Sequence, residues 1–586
     1  MAYLPRFEKH FEKEKIMNCV ATFPPFENAR MVDFEQGSED RVKLVAAIER
    51  LRNDEPPLLP IWMNGMPFHI ENDQCVCVSP HDIRRLLARY TQANEIDVNY
   101  AIDKVIMAKK AWEQMPWHSR LDIFRNAADL LQRKYFYDAV AVVMEDYSKN
   151  PFEAMIDVVE LIDFWNYNVC EAAKIYQEQP SSGAYEFNVV DYRPWEGFIA
   201  AIPPNNFISI AMNLCSAPLI MGNVVVCKPA PETIFSFHFM LNILHEAGLP
   251  KDVLAVLHGD EEMIGNILLG SKYLSHVHFT GSKETMHKLV KTVGKNIGNY
   301  IGFPEVIGET GGKNFMLVYN DADPEEVVAA ICSSAFGYQG RKCSALSRLY
   351  LTDKKWEQLR PLLLQMTKQM KIGDVADFRN YLGAIISEQE FKKIKGYIER
   401  ALVSDATKEF NSNLIVAIAN AKGYWIHPTI IVTRNPHSET MKDEIFGPVL
   451  TVYPMPQEEF EKRAIELCHH DEYALTGAIQ TADAATFSRA ANELRHAAGN
   501  LYNCRTTGAI VGRQPFGGSR KSGSNSKPGS KLNLYRWISP GCVSITHKKP
   551  KHFAPAYLDL VPSKEPPPEQ ETGKAAQDAA MKIGGF

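Results

Sequence analysis

Residues 198–229 read FIAAIPPNNFISIAMNLCSAPLIMGNVVVCKP, and the first thirty of these positions carry no charged side chain. An uncharged stretch of that length could span a bilayer. However, Pro203-Pro204, Pro218 and Gly222-Asn223 divide it into short pieces. We therefore predict a buried strand, a loop, a helix and a second buried strand, with no transmembrane segment.

The alternation of strand and helix continues beyond this stretch and decides the fold class. The expected elements are strands at Phe198–Ile202, Val224–Cys227, Val253–Leu257 and His276–Thr280, and helices near Ala211–Met221, Phe235–Ala247 and Glu261–Gly270. Strands and helices that alternate at this spacing predict a parallel sheet covered by helices. A second block from Asn314 to about Asn500 repeats the pattern, and Asp323-Pro324-Glu325-Glu326 is a typical helix start. The chain is therefore expected to have an α/β fold.

The flanking segments differ from these two blocks. Residues 97–176 have helical periodicity, residues 183–195 alternate like a strand, and residues 532–546 are strand-like. Residues 1–80 are expected to form an irregular lead-in. The proline-rich tail beyond Ala554 has the composition of a disordered segment.

Length and composition limit the class of protein. A chain of 586 residues is too long for one core and predicts two or three domains. The net charge of −6 gives no electrostatic reason to expect nucleic acid binding. The eleven cysteines are scattered and odd in number, which suits a reducing compartment. Cys75 and Cys77 have no second ligand pair nearby, so no metal site is predicted.

The amino terminus is ambiguous as a targeting signal. Residues 1–19 mix four basic side chains with three glutamates. A mitochondrial presequence is normally poor in acidic residues, so no clear presequence is identified.

The most informative residue is Cys343, in Gly340-Arg341-Lys342-Cys343-Ser344. It lies 34 positions after Glu309, which is part of Glu309-Thr310-Gly311-Gly312-Lys313. A thiol is a nucleophile as its thiolate, which nearby positive charge and a helix start would favour, although Arg341 is expected to face solvent. A carboxylate between small residues can activate water. A lone cysteine is more often a small buried apolar residue, so the companion motifs decide its interpretation.

Three further motifs lie where strands are expected to end. The Asn206 side chain could donate a hydrogen bond to an oxyanion, and Lys228 could hold a ribose or phosphate. Gly281-Ser282-Lys283-Glu284-Thr285 runs into a predicted helix, whose N-terminus favours pyrophosphate. Each motif alone is more often structural, and the chain has no GxGxxG fingerprint.

In this order and spacing, the motifs resemble those of the aldehyde dehydrogenase superfamily over residues 97–547. Residues 507–518 and Lys527-Pro528-Gly529 look like its Δ1-pyrroline-5-carboxylate (glutamate γ-semialdehyde) dehydrogenase branch. The resemblance implies a parallel-sheet cofactor domain, an α/β catalytic domain and a small β flap used in oligomerisation. It also implies a homodimer, possibly a higher oligomer, in the mitochondrial matrix, with the cytosol as the alternative.

The implied reaction is NAD-dependent oxidation of L-glutamate γ-semialdehyde, formed from Δ1-pyrroline-5-carboxylate, to L-glutamate in proline catabolism. Cys343 would attack the aldehyde and become a thioester. Asn206 and the Cys343 backbone N–H would hold the oxyanion. Glu309 would activate the hydrolytic water.

The resemblance also assigns the binding residues. NAD would be held by Lys228, Gly281, Ser282, Thr285, Glu444 and Phe446. The small-molecule substrate would be held by Ser344, Gly508, Ala509, Phe516 and Phe207. Many family members have a carboxylate where this chain has Pro231, with Glu232 next. The preference for NAD over NADP therefore stays open.

The same resemblance divides the chain into consecutive parts. These are 1–182, a lead-in and the helical part of the cofactor domain; 183–196, the first part of the flap; 197–312, the dinucleotide-binding domain; 313–505, the catalytic domain; 506–531, the substrate-anchor loop and return segment; 532–547, the second part of the flap; and 548–586, a partly disordered tail.

Three other functions remain open at this point. An aldehyde dehydrogenase for uncharged aldehydes would keep Cys343 and Glu309 without an anchor for a carboxylate. An acyl-phosphate reductase would not need Glu309 as a deacylating base. A non-enzymatic structural or binding role would predict loss of the thiol or of the base, and both are present.

Overall fold

Two parallel sheets form the frame of this computed structural model, which describes residues 23–68, 74–404, 417–419, 422–551, 553 and 556–558. The expectations about a targeting signal in residues 1–19 and about most of the tail lie outside these residues. The α/β class predicted from the alternation is confirmed.

The secondary structure follows the predicted alternation closely. The helices are α1 Glu39–Asn53, α2 Glu95–Gln114, α3 Trp117–Arg133, α4 Phe136–Tyr147, α5 Pro151–Gln177, α6 Ile208–Ile220, α7 Ile234–Glu246, α8 Glu261–Gly270, α9 Lys283–Lys295, α10 Pro324–Phe336, α11 Asp353–Lys368, α12 Glu388–Val403, α13 Glu439–Lys442, α14 Phe460–His469, α15 Ala484–Glu493 and α16 Lys531–Leu534. The strands are β1 Leu58–Leu59, β2 Ile61–Met63, β3 Met66–Phe68, β4 Cys75–Ser79, β5 Asp82–Tyr90, β6 Glu186–Arg193, β7 Phe198–Ile202, β8 Val225–Cys227, β9 Leu254–Val256, β10 Leu274–Thr280, β11 Glu305–Glu309, β12 Asn314–Val318, β13 Leu346–Thr352, β14 Ala417–Ala419, β15 Tyr424–Ile426, β16 Thr429–Val432, β17 Val449–Met455, β18 Tyr473–Ala474, β19 Thr476–Gln480, β20 Asn500–Tyr502, β21 Ser519–Arg520 and β22 Ser539–Thr546.

The first sheet has seven strands in the order β11-β10-β7-β8-β9-β2-β3. The strands from β11 to β9 are parallel, whereas β2 and β3 are antiparallel additions. The chain moves outward from β7 through β8 to β9, and then returns to the other side of β7 as β10. A crevice at the carboxyl ends of β7 and β10 is therefore the expected place for a ligand in a sheet of this type.

The uncharged stretch that opened the sequence analysis folds as β7, α6 and β8. Every residue of α6 and β8 is buried except Ile210, because other helices cover this face of the sheet. The predicted strand–loop–helix–strand is confirmed. Among the helices of the described ranges, none is long and apolar enough to cross a bilayer.

The second sheet has six parallel strands in the order β16-β17-β13-β12-β19-β20. Helix α10 connects β12 to β13, and it begins where the sequence predicted. The Asp323 side chain accepts hydrogen bonds from the N–H groups of Glu325 and Glu326 at 2.9 and 3.0 Å. Such a cap satisfies donors that would otherwise lack partners at the helix start.

The predicted two-stranded flap forms from β6 and β22, which pair antiparallel from Arg193↔Ser539 to Glu186↔Thr546. The expectation of a strand from residue 532 is wrong for residues 532–537. These residues form α16 and a 3₁₀ turn, because Leu534 and Trp537 are buried one turn apart. The Trp537 ring packs on the His278 ring at 4.3 Å between centroids.

The expectation of an irregular lead-in over residues 1–80 is wrong for the described part. Helix α1 begins after Ser38, whose hydroxyl accepts the Arg41 N–H at 3.2 Å, and strands β2 and β3 join the first sheet. Arg52 at the end of α1 contacts Glu145 and Asp374 at 2.6 Å each. Only three residues of α1 are buried. The helical spacing of apolar residues that would have predicted this helix is therefore weak in the sequence.

Candidate active site

The carboxyl ends of the first sheet meet the amino ends of the second. Glu309 is the last residue of β11 and Asn314 is the first of β12, so four residues cross between the sheets. Cys343 comes shortly before β13, and Glu444 comes shortly before β17. This arrangement brings loops from both sheets to one junction.

A buried turn positions Cys343. Tyr338 and Gln339 have φ of 51° and 54°, which few residues other than glycine adopt. The Gln339 amide supports the turn by donating to the carbonyls of Ser148 and Ala384, both at 3.0 Å. The thiol thus precedes a strand, and the expectation that a helix start would activate it is wrong.

The basic residues before Cys343 are neutralised by other groups. Arg341 is only 1% exposed; it donates to Asn205 Oδ1 at 3.0 Å and lies over the Phe446 ring at 5.0 Å. Lys342 pairs with Glu153 at 2.6 Å. The prediction that Arg341 faces solvent is wrong because Asn205 and Phe446 enclose its guanidinium group.

The electrostatic surroundings of Cys343 favour the neutral thiol. Burial raises the pKa of Cys343, and nearby carboxyl groups, first Glu444 and then Glu309, raise it further. The expectation that local positive charge would lower this pKa is therefore wrong for the free protein. The thiol must lose its proton when it reacts.

Asn206 approaches the same turn from the first sheet. Its side-chain Nδ2 donates to the Arg341 carbonyl at 3.1 Å, and the residue is 4% exposed. The start of α6 after Asn206 is fixed by Asp157, which accepts the N–H groups of Ile208 and Ser209 at 3.0 and 2.9 Å. One amide N–H of Asn206 therefore remains for another acceptor.

Glu309 is a buried carboxyl group with close glycine neighbours. Neither of its oxygens has a hydrogen-bond partner among the described residues. A Cβ at Gly517 would lie 3.0 Å from Oε1, and one at Gly523 would lie 3.3 Å from Oε2. Burial raises the pKa of Glu309 to about 8, although the nearby Gly518 backbone N–H and then the Lys527 ammonium lower it. A carboxyl with such a pKa is suited to exchange protons near neutral pH.

One cavity of about 900 Å³ connects several residues that the sequence analysis selected. The residues of that selection that line it are Cys343, Glu309, Ser344, Phe207, Gly508, Ala509 and Phe516. Cys343, Glu309 and every residue expected to contact the substrate therefore line one space.

The expected cofactor residues lie outside that cavity, at the ends of the first sheet and around the crossing. Lys228 follows β8 and pairs with Glu261. Ser282 caps α9 by accepting the Thr285 N–H at 3.1 Å, and the N–H of Gly281 donates to the Glu309 carbonyl at 3.1 Å.

The remaining two expected cofactor residues, Glu444 and Phe446, lie near the segment that crosses between the sheets. Glu444 accepts the Gly312 N–H at 3.0 Å, and burial raises its pKa to about 7. Phe446 has a positive φ of 59° and contacts Arg341. The six expected cofactor residues thus surround the carboxyl edge of the first sheet.

Comparison with known proteins agrees with this geometry. Residues 69–538 match the model of the Aldehyde dehydrogenase family. The chain belongs to this family.

Individual members of the family are similar over most of their length. The protein named Delta-1-pyrroline-5-carboxylate dehydrogenase, mitochondrial, from Danio rerio is 38% identical over 545 residues, which cover 91% of this chain and 95% of that protein. The Homo sapiens protein of the same name is 36% identical, with 91% and 94% covered. The crystal structure of the Delta-pyrroline-5-carboxylate dehydrogenase from Mycobacterium tuberculosis bound with NAD matches with a TM-score of 0.86 and 35% identity, covering 92% of this chain and all of that one.

Sequence reasoning missed several residues of this aldehyde dehydrogenase site. Glu160 lines the cavity from α5, accepts the Ser209 hydroxyl at 2.9 Å, and has a pKa raised by burial to about 7. Glu261 meets Lys228 from another helix, near where the expected carboxylate is replaced by Pro231. Lys527 was part of a quoted motif, but only the structure places it beside Glu309. Glu160 and Glu261 carry no local sequence signal.

The raised pKa of Glu309 predicts a pH-dependent cost to folding. Between pH 4.5, its ordinary value, and pH 8, the folded chain keeps a proton that the unfolded chain releases, so stability is lost as pH rises. Glu309→Gln should therefore gain stability over the wild type progressively from pH 5 to pH 8.5 in thermal unfolding without cofactor. Glu357→Gln, at an exposed position of α11, is the control and should show no such trend. A pH-independent difference for Glu309→Gln would contradict the assignment.

Proposed function

We propose that this chain is an NAD-dependent dehydrogenase that oxidises L-glutamate γ-semialdehyde to L-glutamate through a thioester on Cys343. The observation that carries the proposal is one cavity that Cys343 and Glu309 line together with a polar set formed by Ser344, Gly508 and Ala509. The names of the similar proteins from Danio rerio and Homo sapiens support the same substrate.

The polar groups that line the cavity fit a substrate that carries both an α-carboxylate and an ammonium group. For the carboxylate, the backbone N–H groups of Gly508 and Ala509 have no hydrogen-bond partner among the described residues, and the Ser344 hydroxyl lines the same wall. For the ammonium group, Glu160 lines the cavity from α5. A buried charge is stable only when it is paired or hydrogen-bonded, so this set favours a zwitterionic aldehyde.

Two aromatic side chains fit the uncharged stem of the substrate. Phe207 and Phe516 line the same cavity as Cys343. The Phe207 ring is held by Tyr338 at 5.9 Å between centroids and by the Lys149 ammonium at 3.6 Å. Apolar contact with these rings would orient the aldehyde carbon toward Cys343.

Acylation begins when the Cys343 thiolate attacks the aldehyde carbon and the carbonyl oxygen becomes an oxyanion. Asn206 has one amide N–H committed to the Arg341 carbonyl, which fixes the orientation of the other. That second N–H and the Cys343 backbone N–H would hold the oxyanion. Removing one such donor from an enzyme of this type costs about 10²–10³ in kcat.

The residues present fit NAD. The start of α9 offers backbone N–H groups to a pyrophosphate, and a Cβ at Gly281 would lie 2.6 Å from the Phe279 ring, so this turn requires glycine. Lys228 and Glu261 could hold ribose hydroxyls at the end of β8, and Glu444 could hold the second ribose. Bound NAD would supply the hydride acceptor that converts the thiohemiacetal to a thioester.

Deacylation needs a base that does not itself form a bond to the substrate. Glu309, in its carboxylate form, would take a proton from water as the water oxygen attacks the thioester carbon. The C–S bond then breaks, and the products are L-glutamate and the free Cys343 thiol. Since the pKa of Glu309 is raised to about 8, this step should speed up as pH rises through that value.

We also propose that the chain forms a homodimer and is located in the mitochondrial matrix. The two-stranded flap of β6 and β22 supports the dimer, because an isolated pair of strands is marginally stable in water. Several similar proteins carry "mitochondrial" in their names, which supports the compartment.

The nucleophile can be tested directly. Cys343→Ala should abolish NADH formation from glutamate γ-semialdehyde, because no other cysteine of the described residues lines the cavity. NAD binding, measured by calorimetry, should remain within a few fold of the wild type. Cys504→Ala, which changes an exposed cysteine, is the matched control and should keep full activity. Activity of a tenth of the wild type in Cys343→Ala would show that another residue attacks.

The base can be separated from the nucleophile by rapid mixing. Glu309→Gln should release up to one NADH per active site in a burst and then turn over about 10²–10⁴-fold more slowly, because the thioester accumulates. Mass spectrometry of the quenched protein should find the acyl group on Cys343. Steady-state turnover at the wild-type rate would rule out this role for Glu309.

Substrate preference tests the anchor. The wild type should favour glutamate γ-semialdehyde over propanal by about 10²–10⁴ in kcat/KM, because propanal leaves the buried Ser344 hydroxyl and the N–H groups of Gly508 and Ala509 without the carboxylate partner. Gly508 has a φ of +93°, which valine does not tolerate, so Gly508→Val should displace the loop and remove most of that preference. Gly37→Val is the control: that glycine also has a positive φ, but it is outside the cavity. Equal use of both aldehydes by the wild type would contradict the proposed substrate.

A further inference from the structure

Residues 23–34, which we call the strap, precede α1 and contain neither helix nor strand. The strap forms one wall of the active-site cavity. Its cavity-lining residues are Asn28, Ala29, Met31, Asp33 and Phe34. None of them has a place in the proposed reaction, although they face the same space as Cys343.

One strap side chain joins two parts of the cavity wall. The Asn28 Nδ2 donates to Asp163 Oδ2 at 2.8 Å and to the Val511 carbonyl at 3.0 Å. Its Oδ1 accepts from Arg513 Nε at 2.9 Å. Asn28 thus connects α5, which carries Asp163, to the segment that follows Gly508.

Neighbouring contacts fix the strap on the same helix. The N–H of Ala29 donates to Asp163 Oδ1 at 2.7 Å, so one carboxylate holds two adjacent strap residues. The Phe26 ring packs edge-on against Tyr167 at 5.1 Å between centroids. A Cβ at Gly512 would lie 2.8 Å from Phe26, so the strap and this loop are in close contact.

The loop over residues 508–513 forms a turn in which the N–H groups of Arg513 and Gln514 both donate to the Ile510 carbonyl at 3.0 Å, but few backbone bonds join this turn to the rest of the fold. Its glycines Gly508 and Gly512 have φ of +93° and +79°, and Gly512 donates to the Gly529 carbonyl at a long 3.3 Å. No residue of this loop belongs to a strand. The position of this loop therefore depends on side-chain contacts from outside it. Asn28 makes two of these contacts, with the Val511 carbonyl and with Arg513.

We propose that Asn28 is a positioning residue that sets the place of the substrate-anchor loop, and through it the preference for an aldehyde with a charged head. The inference rests on the proposed function for the identity of the substrate. Asn28 acts through the loop: its donors and its acceptor are occupied by Asp163, Val511 and Arg513, so it has no need to contact the substrate.

The kinetic test compares two aldehydes. Asn28→Ala should raise KM for glutamate γ-semialdehyde about tenfold or more and leave its kcat within about threefold, because the reacting groups are untouched. Kinetics with propanal should stay within about twofold of the wild type, since propanal does not use the loop. Glu27 directly precedes Asn28, and its side chain is exposed and forms no ion pair among the described residues. Glu27→Ala is therefore the control and should match the wild type.

A charge exchange tests the contact itself. Asn28→Asp places a carboxylate against Asp163 and should weaken binding of the charged aldehyde at least as much as Asn28→Ala. Adding Asp163→Asn restores a donor–acceptor pair at the same two positions. The double variant should have a lower KM for glutamate γ-semialdehyde than Asn28→Asp. A KM raised by the product of the factors seen in the two single variants would overturn the proposal.

Hydrogen exchange of residues 506–514 gives a readout that does not depend on the substrate. The backbone amides of this segment should exchange faster in Asn28→Ala than in Glu27→Ala or the wild type. If the wild type lacks a preference for glutamate γ-semialdehyde, the proposed function fails. The hydrogen-exchange comparison alone then tests the role of Asn28 in the strap. Unchanged exchange, or an unchanged ratio of the two aldehydes in Asn28→Ala, would overturn the role of Asn28.

Discussion

The Asn314 side chain makes the interaction on which the site depends. Its Nδ2 donates to the carbonyls of Cys343 and Ala345 at 2.7 and 2.8 Å, and its Oδ1 accepts the Thr476 N–H at 3.0 Å. Asn314 begins β12 only five residues after Glu309 ends β11. The turn that carries Cys343 is therefore linked to Glu309, the proposed base, through Asn314 and the short segment before it. The two groups proposed to carry the two half-reactions are therefore held at the junction of the two sheets.

The same junction concentrates acidic groups around a thiol. Burial raises the pKa of Glu160, Glu309 and Glu444 to about 7, 8 and 7, and all three raise the pKa of Cys343. Because burial penalises the ionised form, each of these carboxyl groups keeps its proton part of the time near neutral pH. The free protein therefore holds protons that a cationic substrate group or a nearby positive cofactor ring would release, which makes thiol reactivity dependent on what is bound.

The sequence predicted those features that local pattern controls. Strand–helix alternation in the first sheet and the Asp323 cap were predicted within a few residues, because periodicity and capping act over short distances. The residues expected to bind the substrate do line one cavity, since their motifs follow strand ends. Predictions failed where the answer depends on distant partners: Arg341 is enclosed by Asn205 and Phe446, and residues 532–537 pack on the first sheet. Asn28 gave no signal, because its contacts are 135 to 485 residues away.

That distance has a consequence for how the protein is made. Asn28 and Val511 are 483 residues apart, and ribosomes add roughly 5–20 residues per second, so the strap waits on the order of half a minute or more for its partner. Until then a nascent chain carries both Cys343 and an unfinished cavity wall. Contacts between chain ends form late because closing so large a loop is slow. The contacts between the strap and the proposed anchor loop thus form late, and a chain that ended prematurely would carry Cys343 without this wall of its cavity.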